Sequence, residues 1–308
     1  MIIVTLVASL ASAMVWRQYR AVQIEAAERA RAQAAWILQG SLDWARLILR
    51  EDARANLSEP VDHLGEVWAV PLAEARLSTF LAADNSAIGA VADAGPDAFL
   101  SGGIKDAQAQ YNLRNLLGGT QAPPLEQRVL ERLCESAVVP PGTAALLIAG
   151  LRSAFDAQAS LAETRTSTPL QPKNIDQLAW LGLTQDTIER LRPLIVLLPA
   201  ATPVNLNTAP REVIAALFDG MDLASAERLV QARLVKPLRT VQETKDYFPA
   251  AVTVSSERAS VLSSYFWVNG RLRLDERVLE ERSLVQRSGL DMLVLDRQRV
   301  NQVLEVGR

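Results

Sequence analysis

The sequence offers few side chains for nucleophilic or metal chemistry. It contains one histidine, His63, and one cysteine, Cys134. A serine hydrolase needs a histidine beside its nucleophile, and the common zinc sites need several histidines or four cysteines. His63 lies in the polar stretch 60–65, which is typical of a surface turn. The composition therefore argues against both classes, and a lone cysteine cannot form an intrachain disulfide.

Acidic side chains could act as acid–base groups or bind calcium, which prefers oxygen ligands. Three adjacent acidic pairs are expected on solvent-facing positions: Glu51-Asp52, Asp275-Glu276 and Glu280-Glu281. Four oxygen-bearing residues share one loop: Asp84, Asn85, Asp93 and Asp97. Their spacing is not that of an EF-hand, and no glycine pattern for a nucleotide is present. No catalytic residue follows from these groups, and the metal content stays unknown.

The most specific local motif begins at Pro203-Val-Asn-Leu-Asn-Thr-Ala-Pro210 and continues to Arg233. It resembles the helix-hairpin-helix element of competence-type DNA-binding proteins. Asn207 or Thr208 is expected to cap its first helix, with Pro210 in the first helical turn. A second, more degenerate copy covers residues 174–191.

In a DNA-binding hairpin, two glycines let backbone N–H groups approach a phosphate. Here Gly220 is present, but Asp222 stands in the second glycine's place and Asp219 flanks it. Two carboxylates at this turn would repel a phosphate. The net charge of the chain is −3, which is not the basic footprint of a nucleic-acid binder. The motif is therefore predicted to have a structural role, without nucleic acid as a partner.

The elements that hold these residues begin with an uncharged segment of sixteen residues, Met1–Trp16. If the segment were a cleaved signal peptide, Ala11–Ala13 would be its cleavage site, but the basic region that precedes the apolar part of a signal peptide is missing. A membrane-spanning helix needs about 20 apolar residues, and this segment is a little shorter. We favour a start just inside a longer hydrophobic segment, because the downstream helical pattern continues in phase. The arginines that follow, taken alone, would place the next segment in the cytoplasm.

A helical pattern continues from Arg17 to Arg54, with alanines early in the stripe and bulky side chains later. We expect the helix to be buried against a globular body near residues 36–49. The face predicted to contact neighbouring helices in an assembly consists of Ile3, Leu6, Leu10, Val22, Ala26, Ala30, Ala34, Ile37 and Leu38.

Strand patterns surround a helical block. Strands are expected at 67–70, 75–81, 99–104 and 109–113, helices between 125 and 262, and strands again at 265–268, 277–287 and 290–295. Asn269-Gly270 and Ser288-Gly289 are hairpin signals. With 308 residues and 49% hydrophobic content, the chain can form a large core.

The predicted fold is therefore α+β, a long helix laid on one sheet that an all-helical domain interrupts. We predict a transmembrane segment over residues 1–16 and a helix outside the membrane over 17–55. The first strands of the sheet are expected within 56–121, the helical insert within 122–262 and the final strands within 263–308.

Five segments, in the same order along the chain, resemble the minor pseudopilin K family of the type II secretion system (general secretion pathway protein K). They are residues 64–72, 104–116, 203–213, 263–266 and 282–287. The resemblance implies a pilin-like fold with a helical domain, of the helix-hairpin-helix kind, inserted between strands. It also implies a non-enzymatic subunit at the tip of the pseudopilus, needed for its assembly and for protein export.

The resemblance further implies minor pseudopilins I and J, and usually H, as partners, with exported proteins as further candidates. The chain would wait as a single-pass protein in the bacterial inner membrane, with its globular part in the periplasm. Some members bind calcium and contain a disulfide; Cys134 alone cannot form one, and no clear calcium ligand set is present.

Two other functions remain open from the sequence. A membrane-anchored DNA-binding protein would use the hairpin of residues 203–233, although Asp222 and the net charge count against it. A minor pilin of a related type IV pilus would share the N-terminal helix but not the five segments.

Overall fold

The computed structural model describes residues 2–58, 60–77, 98–119, 121–155, 170–274 and 277–300. The α-helices of this region of the chain are α1 (Ile2–Ala55), α2 (Pro124–Ser136), α3 (Thr143–Phe155), α4 (Gln185–Leu191), α5 (Arg211–Leu217) and α6 (Leu223–Val235). The strands are β1 (Leu72–Arg76), β2 (Ala98–Asp106), β3 (Tyr111–Asn112), β4 (Ile195–Val196), β5 (Val204–Asn205), β6 (Ala259–Ser260), β7 (Tyr265–Leu274), β8 (Arg277–Ser288) and β9 (Asp291–Val300).

Helix α1 is continuous over 54 residues. It contains no proline and a single glycine, Gly40, so nothing in its sequence breaks the backbone ladder. Residues 2–26 are all exposed. Burial begins at Ala34 and continues at Leu38, Leu42, Ala45 and Leu49. These spacings of three and four residues place one helical face against the protein body.

Five strands form the main sheet in the order β1-β2-β7-β8-β9, with every neighbouring pair antiparallel. Alternate side chains point to opposite faces of a strand. The first face carries Phe266, Val268 and Leu272, which pack on α1. Gly270 lies on this face too, where an added Cβ would come 3.1 Å from Ser41 Oγ. The helix can therefore approach the sheet closely at this point.

The insert leaves the sheet after β2 and returns at β7. Its ends are neighbours, because Asp106 of β2 pairs with Phe266 of β7. The core of the insert contains buried side chains from Tyr111 to Val261. Tyr111, Leu113 and Leu116 belong to this core, so the insert begins near Ala107 and not at the predicted residue 122.

The second face of the sheet contacts the insert. Tyr265, Trp267 and Leu284 on this face form an apolar cluster with Val196 and Leu198 of the insert. The sheet is thus covered by α1 on one face and, at one end, by the insert on the other. The α+β prediction, with its long N-terminal helix, antiparallel sheet and further helices, is confirmed.

Several local predictions were wrong. Residues Val67–Ala69 form a 3-10 helix instead of a strand. Asn269-Gly270 lies inside β7, whereas the Ser288-Gly289 hairpin is confirmed, with Gly289 at φ +59°. The predicted strand at 109–113 shrinks to β3, which pairs in parallel with β4 of the insert. The predicted strand at 75–81 overlaps β1 only up to Arg76, and its end lies outside the described residues.

Candidate functional site

The junction between the sheet and the insert is built around one buried carboxylate, that of Asp106 at the end of β2. Its Oδ2 accepts hydrogen bonds from Thr208 Oγ1 at 2.5 Å, Ser263 Oγ at 2.6 Å and Asn205 Nδ2 at 3.0 Å. Its Oδ1 accepts from the backbone N–H of Gln108 at 2.7 Å. Burial raises the pKa of Asp106 to about 6 against the opposing effect of these bonds.

Asn205 and Asn207 continue this network into the hairpin motif. Asn207 Nδ2 donates to the carbonyl of Leu238 at 2.9 Å, and its Oδ1 accepts from the N–H of Leu238 at the same distance. Asn205 Oδ1 accepts from the N–H of Asn207 at 2.9 Å. Neither Asn207 nor Thr208 caps a helix, because the cap position of α5 is Pro210. Instead, Asn207 binds the backbone of Leu238 and Thr208 binds Asp106, so both residues connect the motif to other parts of the protein.

A second polar cluster lies where α1 meets β8. Asp62 is buried, and its Oδ2 accepts from the N–H of Ser263 at 2.7 Å and from Arg287. Arg287 also contacts Asp52 of α1 at 3.1 Å. Burial, together with the carboxylates of Glu66 and Asp62, raises the pKa of Asp52 to about 7. Asp52 was predicted on a solvent-facing position, which is wrong because this stretch of α1 is covered.

The carboxylates of Asp52, Asp62 and Glu66 each place one oxygen within 4.8 Å of the others, an arrangement that could hold a cation. Calcium needs six to eight oxygen ligands. Here Arg287 already supplies positive charge to two of the three groups. Both oxygens of Glu66 accept hydrogen bonds, from Asn56 and from the Trp68 indole among others. Arg287 and these hydrogen bonds thus hold most of the cluster's oxygens, whereas Asp62 Oδ1 is buried without a partner among the described residues.

The loop that carries the other calcium candidates, Asp84, Asn85, Asp93 and Asp97, lies outside the described residues. The acidic pair Asp275-Glu276 lies outside them as well. Glu281 was predicted to face solvent, but it is buried against β9, where its Oε1 lies 3.2 Å from Arg297 Nε. Calcium binding stays a prediction of the family resemblance.

The two acids of the hairpin have structural partners. Asp222 caps α6, where its Oδ1 accepts from the N–H of Ser225 at 2.7 Å. Asp219 pairs with Arg128 at 2.6 Å and also with Arg132, and these bonds lower its pKa to about 2. Both carboxylates thus serve contacts within the insert, and Asp222 stands in the place of the second glycine of a DNA-binding hairpin.

The titratable groups singled out for chemistry show no catalytic pairing among the described residues. Cys134 is buried, and burial followed by the charges of Glu131 and Glu135 raises its pKa to about 11. Such a thiol is protonated at neutral pH and is a poor nucleophile. His63 Nδ1 accepts the backbone N–H of Gly65 at 3.1 Å, in the turn that the sequence predicted.

The predicted assembly face of α1 divides into two regions. Ile3, Leu6, Leu10 and Val22 are exposed, as is Ala26. By contrast, Ala34 and Leu38 are buried against Leu272 of the sheet, and Ile37 packs beside them. Because the chain's own sheet covers these three, the region open to a neighbouring helix ends near Ala30, which is half-buried.

Further along α1, large apolar side chains remain open to solvent next to the sheet. Trp36, Trp44 and Leu47 are exposed, although the sequence predicted burial of the helix near residues 36–49. The buried side of this stretch uses Leu42, Ala45 and Leu49 instead. The exposed side chains form a second apolar surface on the same helix.

The sequence alone predicts no role for Asp62, Asp106 or Arg287. Asp106 and Arg287 lie in two of the five family-like segments, which is the only local signal for them. The partners of all three come from distant regions of the chain, so spacing along the sequence does not reveal them.

α1 is long and apolar enough to cross a membrane, and its most apolar window is wholly unburied and close to the N-terminus. A single-pass anchor fits this arrangement, whereas the buried half of the helix belongs to the folded body.

Comparisons with known proteins point to one family. Two family profiles, both described as Type II secretion system (T2SS), protein K, match residues 109–200 and 204–263. A curated Type II secretion system protein K from Pseudomonas aeruginosa is 28% identical over 299 residues, covering 90% of this chain and 83% of the relative.

The fold also matches a solved structure. The crystal structure of the GspK-GspI-GspJ complex from the type 2 secretion system of enterotoxigenic Escherichia coli contains a chain that superposes with a TM-score of 0.63. The match covers 90% of this chain and 99% of that chain at 21% sequence identity. At this identity the likeness concerns the fold.

Proposed function

Because the chain belongs to the type II secretion system protein K family of minor pseudopilins, we propose that it works at the tip of a pseudopilus, in complex with minor pseudopilins I and J. It is a non-enzymatic assembly subunit needed for protein export across the outer membrane. Pseudopilin H is a further partner, and exported proteins are candidate contacts of the tip. The similar chain from Escherichia coli, in a complex named for GspK, GspI and GspJ, supports these partners.

The observation that carries this proposal is that α1 exposes apolar side chains in two regions, one near the N-terminus and one beside the sheet. Its residues 2–16 carry no charge and are exposed, and Trp36, Trp44 and Leu47 remain exposed beside the sheet. Apolar surface of this extent is typical of membrane and protein contacts. The first region fits a bilayer, and the tryptophans lie further along, where neighbouring subunits would pack.

The proposed location is the inner membrane, with α1 as a single anchor and the globular body in the periplasm. Support comes from the apolar helix near the N-terminus and from the secretion family. The insert would sit above the sheet at the end of the filament, where its bulk obstructs further subunits. The thiol of Cys134 is buried and protonated at neutral pH, which agrees with a subunit that works by contact and not by catalysis.

The test is assembly of the full chain, purified in detergent, with pseudopilins I and J of the same system. Native mass spectrometry is expected to detect a complex with one copy of each subunit. Trp44→Glu should weaken this complex, because a charge would replace an apolar contact. Leu234→Glu is the matched control, since Leu234 is also exposed, at 65% against 48% for Trp44, but lies on the insert.

Detection of only the three separate proteins, mixed at tens of micromolar, would remove the tip-complex role. Equal loss of assembly in the Trp44 and Leu234 variants would show that the complex does not form through α1. If cell fractionation found this chain in the cytoplasmic fraction, the proposed membrane location would be contradicted.

A further inference from the structure

A cleft separates the second face of the sheet from the insert and has a volume of about 870 Å³. Lys105, Trp267 and Arg282 line it from the sheet, while Glu189 and Arg192 line it from the insert. The strand register explains why the three sheet residues share a face. Lys105 is paired with Trp267 across β2 and β7. Arg282 is paired with Asn269, two positions beyond Trp267 on β7.

Arg282 stacks on Trp267, with its guanidinium carbon 3.9 Å from the ring centroid. Its Nε is buried and has no hydrogen-bond acceptor in the region of the chain that the structure describes. Burial, followed by the positive charge of Arg192, lowers the pKa of Arg282. The charge of Asp176 opposes this shift, but among the described residues no carboxylate forms an ion pair with Arg282, so the cost of desolvation is only partly offset.

Other arginines near this cleft have carboxylate partners. Arg192 contacts Asp176 at 2.5 Å and Glu189 at 2.8 Å. Arg271, on the same sheet face as Arg282, lies 3.3 Å from Glu280. Arg282 differs from them because its described contact is an aromatic ring and not a carboxylate. Its charge is available to a group from outside the chain.

Trp267 adds a second donor without an acceptor. The residue is 8% exposed, and its indole Nε1 is buried with no partner among the described residues. A buried donor left unpaired loses its hydrogen bonds to water without gaining one in the protein, which is unfavourable. Two such donors on stacked side chains show that this wall of the cleft is short of hydrogen-bond acceptors within the described residues. The exposed amine of Lys105, directly across from Trp267, adds a further positive charge.

We propose that this cleft binds a carboxylate of an acidic segment from a partner protein, with Arg282 as its main ligand and Lys105 as a second cation. A guanidinium stacked on an indole keeps its edge N–H groups in one plane, which matches the planar geometry of a carboxylate. Glu189 and Asp176 are already paired with Arg192, so Arg282 and Lys105 are the cations of the cleft that an added carboxylate would meet. A single-stranded oligonucleotide is the competing ligand in the test. This inference does not depend on the proposed complex with pseudopilins I and J.

The test measures fluorescence anisotropy of a dye-labelled peptide of about four consecutive glutamates, titrated with the full chain in a non-ionic detergent. The same peptide with glutamines is the neutral control. Arg282→Gln is expected to weaken binding of the glutamate peptide about tenfold, and Lys105→Gln a few-fold. Arg271→Gln is the matched control and should change binding less than about twofold, because the charge of Arg271 already has a partner.

Equal binding of the glutamate and glutamine peptides would overturn the proposal, as would an unchanged affinity in Arg282→Gln. Preference for a single-stranded oligonucleotide over the peptide would identify phosphate as the ligand and also overturn it. Near-ultraviolet circular dichroism checks that Arg282→Gln is folded. If Arg282→Gln is not folded, the affinity of Lys105→Gln tests the proposal instead, and an unchanged affinity in that variant would overturn it. Lys105 is exposed, so its replacement leaves no buried gap.

Discussion

Asn205 and Asp106 are 99 positions apart in the sequence, yet Asn205 Nδ2 lies 3.0 Å from Asp106 Oδ2 in the interior of the protein. Asn205 belongs to the hairpin motif and Asp106 ends a strand of the main sheet. The contact therefore fastens the insert to the sheet at the point where the chain passes between them. A motif known from DNA-binding proteins is used here as a structural joint.

The first prediction concerns this joint. Thr208→Val removes the hydroxyl that donates to Asp106 Oδ2 while keeping the side-chain shape. The free energy of unfolding should fall by about 1–3 kcal/mol, because a buried carboxylate loses a donor. Denaturant unfolding of the full chain in detergent measures it. Thr253→Val, at an exposed position, is the control and should leave stability unchanged; equal stabilities for the two variants would contradict the role of Asp106.

The second prediction concerns pH. Asp52 has its pKa raised to about 7 in the folded state, whereas an unfolded aspartate titrates near 4. Between these values the folded state binds the proton that the unfolded state has released, so stability falls as pH rises from about 4 to about 7. Asp52→Asn should flatten this decline by a few kcal/mol. Asp106, with its pKa raised to about 6, accounts for a remaining slope.

Thermal unfolding at a series of pH values checks this expectation. Glu51→Gln is the matched control, because the neighbouring Glu51 is exposed and pairs with Arg54 on the helix surface. It should keep the wild-type pH profile. A profile for Asp52→Asn as steep as that of the wild type would show that another group causes the decline.

The third prediction concerns the hairpin. Asp222→Ala removes the cap of α6, so the midpoint of thermal unfolding should fall by a few degrees. Asp222→Asn should keep most of the stability, since asparagine is also a good cap. Asp222→Asn also removes one negative charge from the turn. A gel-shift assay at low salt measures DNA binding, and we expect none for this variant. Strong DNA binding by this variant would revive the DNA-binding alternative.

The fourth prediction separates the two regions of α1. Leu38→Ala should destabilise the folded protein by about 2–5 kcal/mol, because Leu38 is buried against the sheet. Val22→Ala should leave unfolding unchanged, since Val22 is exposed, but should impair export of a secreted reporter enzyme. Normal export with Val22→Ala would show that this position does not belong to the assembly face.

Much of the architecture followed from the sequence. The long helix, the helical block between strands and the Ser288-Gly289 turn each depend on local patterns, and the resemblance to the protein K family is confirmed. The hairpin turn predicted at Asn269-Gly270 was wrong, because β7 continues through these residues and pairs with β2 on one side and β8 on the other. This non-local pairing overrides the local preference for a turn.

The polar junction could not be predicted. Asp52 and Glu281 look like surface acids in sequence, but they are covered by strands far along the chain. Likewise, the unpaired state of Arg282 among the described residues depends on the register of two strands and on the position of the insert. Such contacts depend on tertiary packing, which helical or strand periodicity does not encode.

Asp106 and Phe266 are paired neighbours at the two ends of the insert. A short turn between these positions would join β2 and β7 as an ordinary hairpin without altering the strand order. The sheet therefore does not need the insert for its topology. The carboxylate of Asp106 does need it, because Asn205 and Thr208 of the insert donate hydrogen bonds to this buried group.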